Sequence, residues 1–305
     1  MKSWNIPGFD VYDPSLVLHA PLWRPDMVAR GGSIKNGTGT MDVNPQALAV
    51  GSNTITVTAA GTLIVAMPEG GTVASGTMTV TGSPVTVSAG ISTTITTTGA
   101  IGNITVTPSN IIRSKDRNNR ALTVTDATWG SRGRTYASGN YITVPNATDL
   151  DFTSSAFSMF IWINPTSVAS TQALVFHGLT DTDGWFALLN SAGGVARLFV
   201  RTNQAAANQV TQSVDNTIFA NTWQQVGFTR SGANIRTYNN GVDNTTSPST
   251  HIDPVATSRV LKIGIHDDLS SNPFVGKIGE VSSDNRAPSP TEVMRNYQAM
   301  KWRYV

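Results

Sequence analysis

A period-two alternation of threonine with aliphatic residues runs through the first third of the chain and restricts that region to β-structure. Residues 54–58, 77–81 and 84–88 each carry Val, Ile or Met at every second position. Clusters of Gly, Ala and Ser separate such runs. Short alternating strands with regular turn signals predict a small sandwich or barrel. A Thr/Gly linker is the alternative, but linkers do not sustain such an alternation.

The same region is almost free of charge and of aromatic rings. Of the 70 residues between Asp42 and Arg113, only Glu69 is charged. No aromatic residue lies between Trp23 and Trp129. The hydrophobic side chains are therefore aliphatic, and we expect a thin core. The 40 threonines and 27 glycines of the whole chain are typical of an all-β, turn-rich protein.

The remainder, residues 113–305, has a different pattern, with aromatic residues and longer strand signals. Residues 157–163 alternate in FSMFIWI and stop at Asn164 and Pro165. The Asn-Gly pair at 240–241 is a strong hairpin turn signal. One helix is predicted near the end, where a Ser-Pro-Thr-Glu sequence precedes apolar residues at helical spacing. About ten strands and one terminal helix predict a two-sheet jelly roll.

Four ordered motifs give this region a family resemblance. They are NYITVP with LDFT at 140–145 and 150–153, FSMFIWINP at 157–165, TWQQV through YNNG at 222–226 and 238–241, and FVGKIGEV with RAPSPTE at 274–281 and 286–292. Together they resemble the laminin-G-like, concanavalin A-like jelly-roll family, over about residues 120–305. The resemblance implies the fold but no single function, because this fold hosts lectins, enzymes, adhesion modules and virion proteins.

The N-terminal residues resemble the first strand of the same jelly roll. Residues 15–23, SLVLHAPLW, have the pattern of that strand. We therefore divide the chain into 1–29, the first strand or arm of the jelly roll, 30–112, a small Thr-rich β-sandwich, and 113–305, the laminin-G-like jelly roll. Insertion of the Thr-rich domain into a jelly-roll loop is favoured, because loop insertions have a small closure entropy. A tandem arrangement with residues 1–30 as a free arm is the alternative.

Residues suited to catalysis are scarce, and we expect no enzyme. The chain has three glutamates, four histidines and no cysteine, which excludes a thiol nucleophile and a zinc–cysteine site. Glycosidases of this fold place carboxylates at alternate positions of one strand. Glu280 and Asp284 have that spacing here, but Ser282 occupies the middle position. A retaining glycosidase needs two carboxyl groups about 5–5.5 Å apart.

Calcium is the single metal that the family resemblance suggests. Its candidate ligands are two acidic loops, Asp181 with Asp183 and Asp267 with Asp268, because calcium prefers oxygen ligands. The aspartate that the family commonly has before Glu280 is Gly279 here, which weakens this comparison. We favour the alternative, in which the aspartates belong to solvated turns, and expect no other cofactor.

Ligand binding by a lectin-like domain needs exposed aromatic rings near polar loops. Trp162, Trp223 and Tyr238 lie in predicted strands, and we expect them in the core. Candidate binding residues border predicted loops or acidic turns: Trp129, Tyr136, Trp185 and His266.

The remaining features favour a structural protein of a phage virion. The start MKSWNIPGFD predicts no secretory signal. No apolar run reaches membrane-spanning length, and a net charge of +2 does not suggest nucleic-acid binding. A Thr-rich β-domain joined to a lectin-like jelly roll resembles capsid decoration proteins, head fibres and tail-associated adhesins.

We expect this protein to assemble in the host cytoplasm as a homo-oligomer, with a trimer favoured. A monomer in which the uncharged domain is a spacer is the alternative. Its partners would be capsid or tail proteins and surface glycans. A bacterial surface or extracellular carbohydrate-binding adhesin is the first alternative, and a divergent glycoside hydrolase the second.

Overall fold

The computed structural model describes residues 15–24, 41–43, 53–56, 61–65, 76–78, 85–88, 93–97, 103–107, 111–246 and 251–305. The chain divides into two compact units. One unit joins Met1–Arg24 to Arg113–Val305, and the other is Pro25–Ile112.

The first strand, β1 (Leu16–Ala20), belongs to the larger unit. The next seven strands are short and lie in the unit Pro25–Ile112. They are β2 (Met41–Val43), β3 (Asn53–Thr56), β4 (Gly61–Val65), β5 (Gly76–Met78), β6 (Val85–Ser88), β7 (Thr93–Thr97) and β8 (Asn103–Thr107). They form two sheets in the orders β2-β4-β7-β5 and β3-β8-β6. The runs predicted at 54–58, 77–81 and 84–88 overlap β3, β5 and β6, so each alternating run contains a strand.

After β8 the described residues contain fifteen further strands and one α-helix; all belong to the larger unit except the first two residues of β9, which belong to Pro25–Ile112. They are β9 (Ile111–Arg113), β10 (Ala121–Thr125), β11 (Thr128–Gly130), β12 (Gly133–Tyr136), β13 (Tyr141–Val144), β14 (Phe157–Pro165), β15 (Gln172–Leu179), β16 (Asp183–Asn190), β17 (Arg197–Gln204), β18 (Ala207–Gln212), β19 (Gln224–Ser231), β20 (Asn234–Asn239), β21 (Val242–Asp243), β22 (Leu261–Ile263), β23 (Gly276–Asp284) and α1 (Pro290–Met300). Strands β10, β11, β12, β18 and β21 were absent from the sequence-based prediction, although β10 alternates between buried and half-buried residues.

Two eight-stranded sheets make up this unit, and the prediction of an all-β, concanavalin A-like jelly roll is confirmed. The first sheet has the order β11-β12-β23-β14-β19-β20-β21, with β1 paired to β23. The second has the order β18-β17-β16-β15-β22-β13-β10-β9. Strand β1 is buried along its whole length and runs antiparallel to β23, with Leu18 opposite Ser283 and Ala20 opposite Val281.

Aromatic rings fill the space between the two sheets. Phe157 of β14 and Phe228 of β19 meet edge to face, with ring centroids 5.4 Å apart. Trp185 of β16, in the opposite sheet, lies 5.4 Å from Phe157 and 6.0 Å from Phe228. All three side chains are fully buried. Because successive side chains of a strand point to opposite faces, alternate residues of these strands face outward.

Helix α1 begins as the sequence predicts. The Ser289 hydroxyl accepts a hydrogen bond from the Glu292 backbone amide, and the Glu292 carboxylate accepts one from the Ser289 amide. This reciprocal capping box satisfies amides that have no partner within the helix, and Pro290 fits the first helical position. No helix of the described residues has the length and apolar character of a membrane span.

Candidate functional site

The outer face of the first sheet is covered at one end by α1 and the turn of Lys301–Arg303 that follows it. Trp162 projects from β14 toward this segment and is fully buried. Its ring stacks on Tyr304 and Tyr297, with centroid distances of 4.3 Å and 5.6 Å. We call this cluster the aromatic cap, and its members are Trp23, Trp162, Trp223, Tyr297, Met300 and Tyr304.

An open cleft of about 600 Å³ lies beside the aromatic cap. A volume of this size lies within the range of small-molecule sites, roughly 300–1,000 Å³. We call it the strand-end cleft, because the ends of β12, β14 and β23 contribute to it. Its lining residues are Gly130, Ser131, Arg132, Gly133, Thr135, Asn164, Asn221, Thr222, Trp223, Lys277, Tyr304 and Val305.

One wall is the hairpin of β11 and β12, which turns through Ser131 and Arg132. Gly133 has φ +145°, and a Cβ atom there would lie 2.3 Å from the Ile278 carbonyl oxygen. The hairpin therefore approaches β23 this closely only because position 133 carries no side chain. The turn also positions Arg132, whose guanidinium Nη1 donates to the Tyr304 carbonyl at 3.3 Å.

A row of polar residues crosses three adjacent strands at the floor of the cleft. In the strand register, Lys277 of β23 lies opposite Thr135 of β12 on one side and Asn164 of β14 on the other. Residues directly opposite in antiparallel strands point to the same face, with Cβ atoms about 4.5–5.5 Å apart. The loop that precedes β19 is held beside them, because the Asn221 amide donates to the Pro165 carbonyl at 2.7 Å.

Trp223 supplies the large aromatic surface of the cleft. Its ring is tilted by 46° against Tyr304, with centroids 4.9 Å apart, and the side chain is half-buried. Burial raises the pKa of the Tyr304 phenol well above its ordinary value, so this ring is neutral at physiological pH. Trp223 thus packs against a neutral, buried ring and also lines the cleft. The expectation that Trp223 lies in the core is correct in part, because the half-buried side chain packs on the aromatic cap.

The structure corrects two of the predicted binding residues. Tyr136 and Trp185 are 1% and 0% exposed, so neither ring is available to a ligand. Tyr136 packs edge to face on Phe274, with centroids 6.0 Å apart, and burial raises the pKa of its phenol. Trp185 belongs to the core between the sheets and donates its indole N–H to the Leu150 carbonyl at 2.8 Å.

The other two predicted binding residues lie at separate places. Trp129 is half-buried on β11, one residue before the cleft, and its indole N–H donates to the Arg24 carbonyl at 3.1 Å. The half-buried His266 ring lies 4.2 Å from that of Phe176 on the second sheet. Trp162 and Tyr238 are buried, as expected. The structure therefore does not bring Trp129, Tyr136, Trp185 and His266 into one site.

The four aspartates proposed for calcium do not fit such a site. No group of three or more metal-ligating acids or histidines occurs in the described part of the chain. Asp267 is held by Lys262 and by Arg259, which also lies 3.8 Å from Asp183. Asp181 accepts from Asn208 and lies 3.8 Å from Arg201.

Asp268 accepts hydrogen bonds from the amide and hydroxyl of Ser271, which hold the pKa of its carboxyl far below the usual range. Protein cations and turn donors thus occupy the oxygens that calcium would need.

The glycosidase-like residues of β23 are also engaged. Glu280 is 5% exposed, accepts from the Trp23 indole at 3.1 Å, and lies 3.4 Å from Nε2 of His19. Asp284 lies 3.5 Å from the Ser15 hydroxyl. Glu280 therefore helps to hold β1 and the following turn against the first sheet.

Sequence reasoning did not find the residues of the strand-end cleft. Arg132, Asn164, Trp223 and Lys277 lie far apart in the sequence, and no local motif connects them. The one local signal was the Gly-Ser-Arg-Gly run at 130–133, which is compatible with a tight hairpin turn.

Comparisons with known proteins agree with this fold. A family model described as the concanavalin A-like lectin/glucanases superfamily matches residues 136–294, just over half of the chain. A search of the curated proteins finds no match.

Several solved binding domains of toxins resemble the chain in structure. For botulinum neurotoxin serotype D the identity is 13% and the TM-score 0.48, with 62% of this chain and 49% of that chain covered. For the binding domain of Paraclostridial Mosquitocidal Protein 1 the identity is 17% and the TM-score 0.46, with 62% of this chain and 49% of that chain covered. For the botulinum neurotoxin serotype G binding domain the identity is 13% and the TM-score 0.48, with 61% of this chain and 48% of that chain covered. The chain spans about half the length of these structures.

The two packed antiparallel sheets and the matched residues 136–294 lead to one assignment. The chain belongs to the concanavalin A-like lectin/glucanase superfamily.

Proposed function

We propose that this chain is a non-enzymatic carbohydrate-binding protein and that the strand-end cleft is its saccharide site. The observation that carries the proposal is the half-buried Trp223, which lines the same cleft as the polar row of Thr135, Lys277 and Asn164. A sugar ring has an apolar face and a rim of hydroxyl groups. An aromatic surface next to hydrogen-bonding side chains complements both parts of it.

The absence of catalysis is proposed from the positions of the carboxylates. Among the residues that line the strand-end cleft there is no aspartate or glutamate side chain. Glu280 lies outside the cleft and is buried against Trp23 and His19. General acid–base catalysis requires a group within hydrogen-bond reach of the substrate. The cleft therefore has the groups to bind a sugar but lacks the carboxylate pair to hydrolyse one.

Replacing Trp223 by alanine tests the proposed site. A sugar that covers roughly 60 Å² of the ring gains about 1.5 kcal/mol at about 25 cal/mol per Å², and its loss weakens binding about tenfold. Binding is measured on a glycan array and then by calorimetry with the best saccharide. Trp302→Ala is the matched control, because Trp302 is 62% exposed and does not line the cleft.

Asn164→Ala is a second variant that shows whether lost binding reflects misfolding, because it removes an amide that lines the cleft and leaves the aromatic cap intact. We expect it to weaken binding with an unchanged melting temperature. Saccharide binding that survives both cleft variants would exclude the cleft as the site. A flat array for the unaltered protein would exclude the proposed function.

We also propose that the protein is a virion component, as a capsid decoration protein, head fibre or tail-associated adhesin. The observation that favours this setting is the stretch of 70 residues with one charge between Asp42 and Arg113. Natural β-proteins guard exposed strand edges with charged side chains. A nearly uncharged β-region suits permanent packing against a shell or a sister subunit. A bacterial surface adhesin remains the competing setting, and neighbouring capsid and portal genes would distinguish the two.

The virion proposal predicts a homotrimer in solution. Light scattering of the full chain is expected to give the mass of three chains, and removal of residues 43–112 is expected to give a monomer. The reason is that the uncharged region provides the contact surface between chains, while the charged side chains of the remaining surface disfavour association. A full-length monomer that also fails to bind the parent particle would contradict both the oligomer and the attachment role.

A further inference from the structure

We infer that the strand-end cleft selects saccharides that carry an anionic group, a carboxylate or a sulfate, and that Lys277 and Arg132 determine this specificity. The inference rests on the proposed saccharide site and adds the chemical class of its ligand. It follows from the charges that line the cleft. Among the side chains that line the cleft, Lys277 and Arg132 are the charged ones at pH 7, and the Tyr304 phenol is neutral.

Lys277 is placed to contact a ligand and not to stabilise the fold. Its side chain is exposed, and it takes part in none of the ion pairs of the described residues. Lys262 provides the contrast, because it is buried on β22 and its ammonium is neutralised by Asp267. The neighbours of Lys277 in the strand register, Thr135 and Asn164, are uncharged. No aspartate or glutamate side chain lines the cleft, so an anion that enters it meets Lys277 without a competing side-chain carboxylate.

Arg132 presents a second cation from the hairpin of β11 and β12. One of its guanidinium nitrogens donates to the Tyr304 carbonyl at 3.3 Å, which orients the group at the hairpin turn. A guanidinium has five N–H donors, so most of them remain for a ligand. Its planar fork matches the two oxygens of a carboxylate or sulfate.

The combination favours an acidic sugar over other anions. Two cations and a net charge of +2 do not make the extended basic surface that a nucleic-acid backbone requires. Trp223 and the amides of Asn164 and Asn221 provide contacts to a neutral ring and its hydroxyl groups. The sugar ring is thus expected on Trp223, with its anionic substituent directed toward Lys277 and Arg132.

The experiment compares saccharides that differ only in charge. Oligogalacturonate, its carboxyl-reduced neutral form and a sulfated form of the same neutral oligosaccharide are titrated into the full chain by calorimetry. We expect both anionic forms to bind at least tenfold more tightly than the neutral form. Lys277→Gln and Arg132→Gln should each reduce affinity for the anionic forms about tenfold, because a charge-assisted hydrogen bond contributes on this scale. Affinity for the neutral form should fall by a clearly smaller factor, because glutamine can still form a hydrogen bond with a hydroxyl group.

Arg117→Gln is the matched control for net charge. Arg117 is exposed and lies outside the cleft, and its substitution removes the same single positive charge. The affinities of this control should equal those of the unaltered protein. Equal losses in Arg117→Gln and Lys277→Gln would show general attraction between charges and would overturn the inference.

The outcomes separate this inference from the function on which it depends. Equal affinity for the neutral and anionic forms, with Trp223→Ala still reducing both, overturns the anionic specificity but supports a saccharide site. Failure of all three forms and of a broad glycan array to bind overturns both proposals. Preference for one anionic form alone identifies the substituent and still supports the inference, provided that Lys277→Gln and Arg132→Gln abolish that preference.

Discussion

Replacing Trp185 by alanine is expected to lower the free energy of unfolding by about 4 kcal/mol, a magnitude typical of large-to-small substitutions in a core. Trp185 is 0% exposed and lies between Phe157 and Phe228 of the opposite sheet. Truncation leaves a cavity between the two sheets. It also removes the indole donor of the Leu150 carbonyl, and an unpaired buried polar group adds its own penalty.

Urea unfolding followed by circular dichroism measures this change, and two further variants interpret it. Trp302→Ala makes the same chemical change at a side chain that is 62% exposed, and we expect a change within about 0.5 kcal/mol. Trp185→Phe keeps an aromatic ring but loses the hydrogen bond, so an intermediate loss of about 1–2 kcal/mol is expected. If Trp185→Ala is as stable as the unaltered protein but no longer binds saccharide, Trp185 contacts the ligand and its assignment to the core is wrong.

The different assignments of Trp185 show what a single sequence conveys about this fold. From the sequence, Trp185 is expected to border a predicted loop and to be exposed to a ligand. Strand β16 is instead an interior strand, paired on both sides with β15 and β17. Trp185 faces the space between the sheets, while the neighbouring Phe186 packs on the outer face with Phe176, with ring centroids 4.2 Å apart.

Strands with strong alternation and the capped helix could be predicted because their signals are local. The FSMFIWI run of β14 and the Ser289–Glu292 capping box can each be identified from a few consecutive residues. The strand-end cleft could not be predicted in this way. Thr135, Asn164 and Lys277 become neighbours only through the register of β12, β23 and β14, and each is an ordinary polar residue within its own segment.

The four aspartates considered as calcium ligands show the same limit of local signals. Paired aspartates in a loop indicate a cation in general, and the sequence does not say which one. In the structure the cations belong to the protein: Arg259 and Lys262 hold Asp267, and Arg201 lies near Asp181. Lys262 and Arg259 lie near Asp267 in the sequence, whereas Arg201 is distant from Asp181 and Arg259 is distant from Asp183. Only the fold reveals that the charge of the acidic loops is already compensated.

Acidification is expected to lower the free energy of unfolding by about 3 kcal/mol through His251 alone. The ring is buried, with Nδ1 2.9 Å from the Thr202 hydroxyl of β17 and Nε2 2.7 Å from the Thr211 hydroxyl of β18. Burial lowers the pKa of His251 to about 4, and the positive charge of Arg230 contributes in the same direction. The hydroxyl groups satisfy the neutral ring, but they do not compensate for the lost hydration of an imidazolium.

The direction follows from the proton affinities of the two states. The folded-state pKa lies below the ordinary value of 6.5, so the unfolded chain takes up the proton first as the pH falls. The contribution of His251 to stability is therefore complete above pH 6.5. It declines by about 1.4 kcal/mol for each pH unit toward pH 4, where the folded protein also becomes protonated and the decline ends.

His251→Gln isolates this effect from other titrating groups. His177, whose pKa burial also lowers, and the carboxylates contribute to the acid dependence of both proteins. Their effects cancel when the two proteins are compared at pH 7.5 and pH 4. The substitution should lower stability at pH 7.5 but remove about 3 kcal/mol of the subsequent acid-induced loss. An NMR titration then gives the pKa of His251 directly, and a value near 6.5 in the folded protein would refute the buried, neutral imidazole.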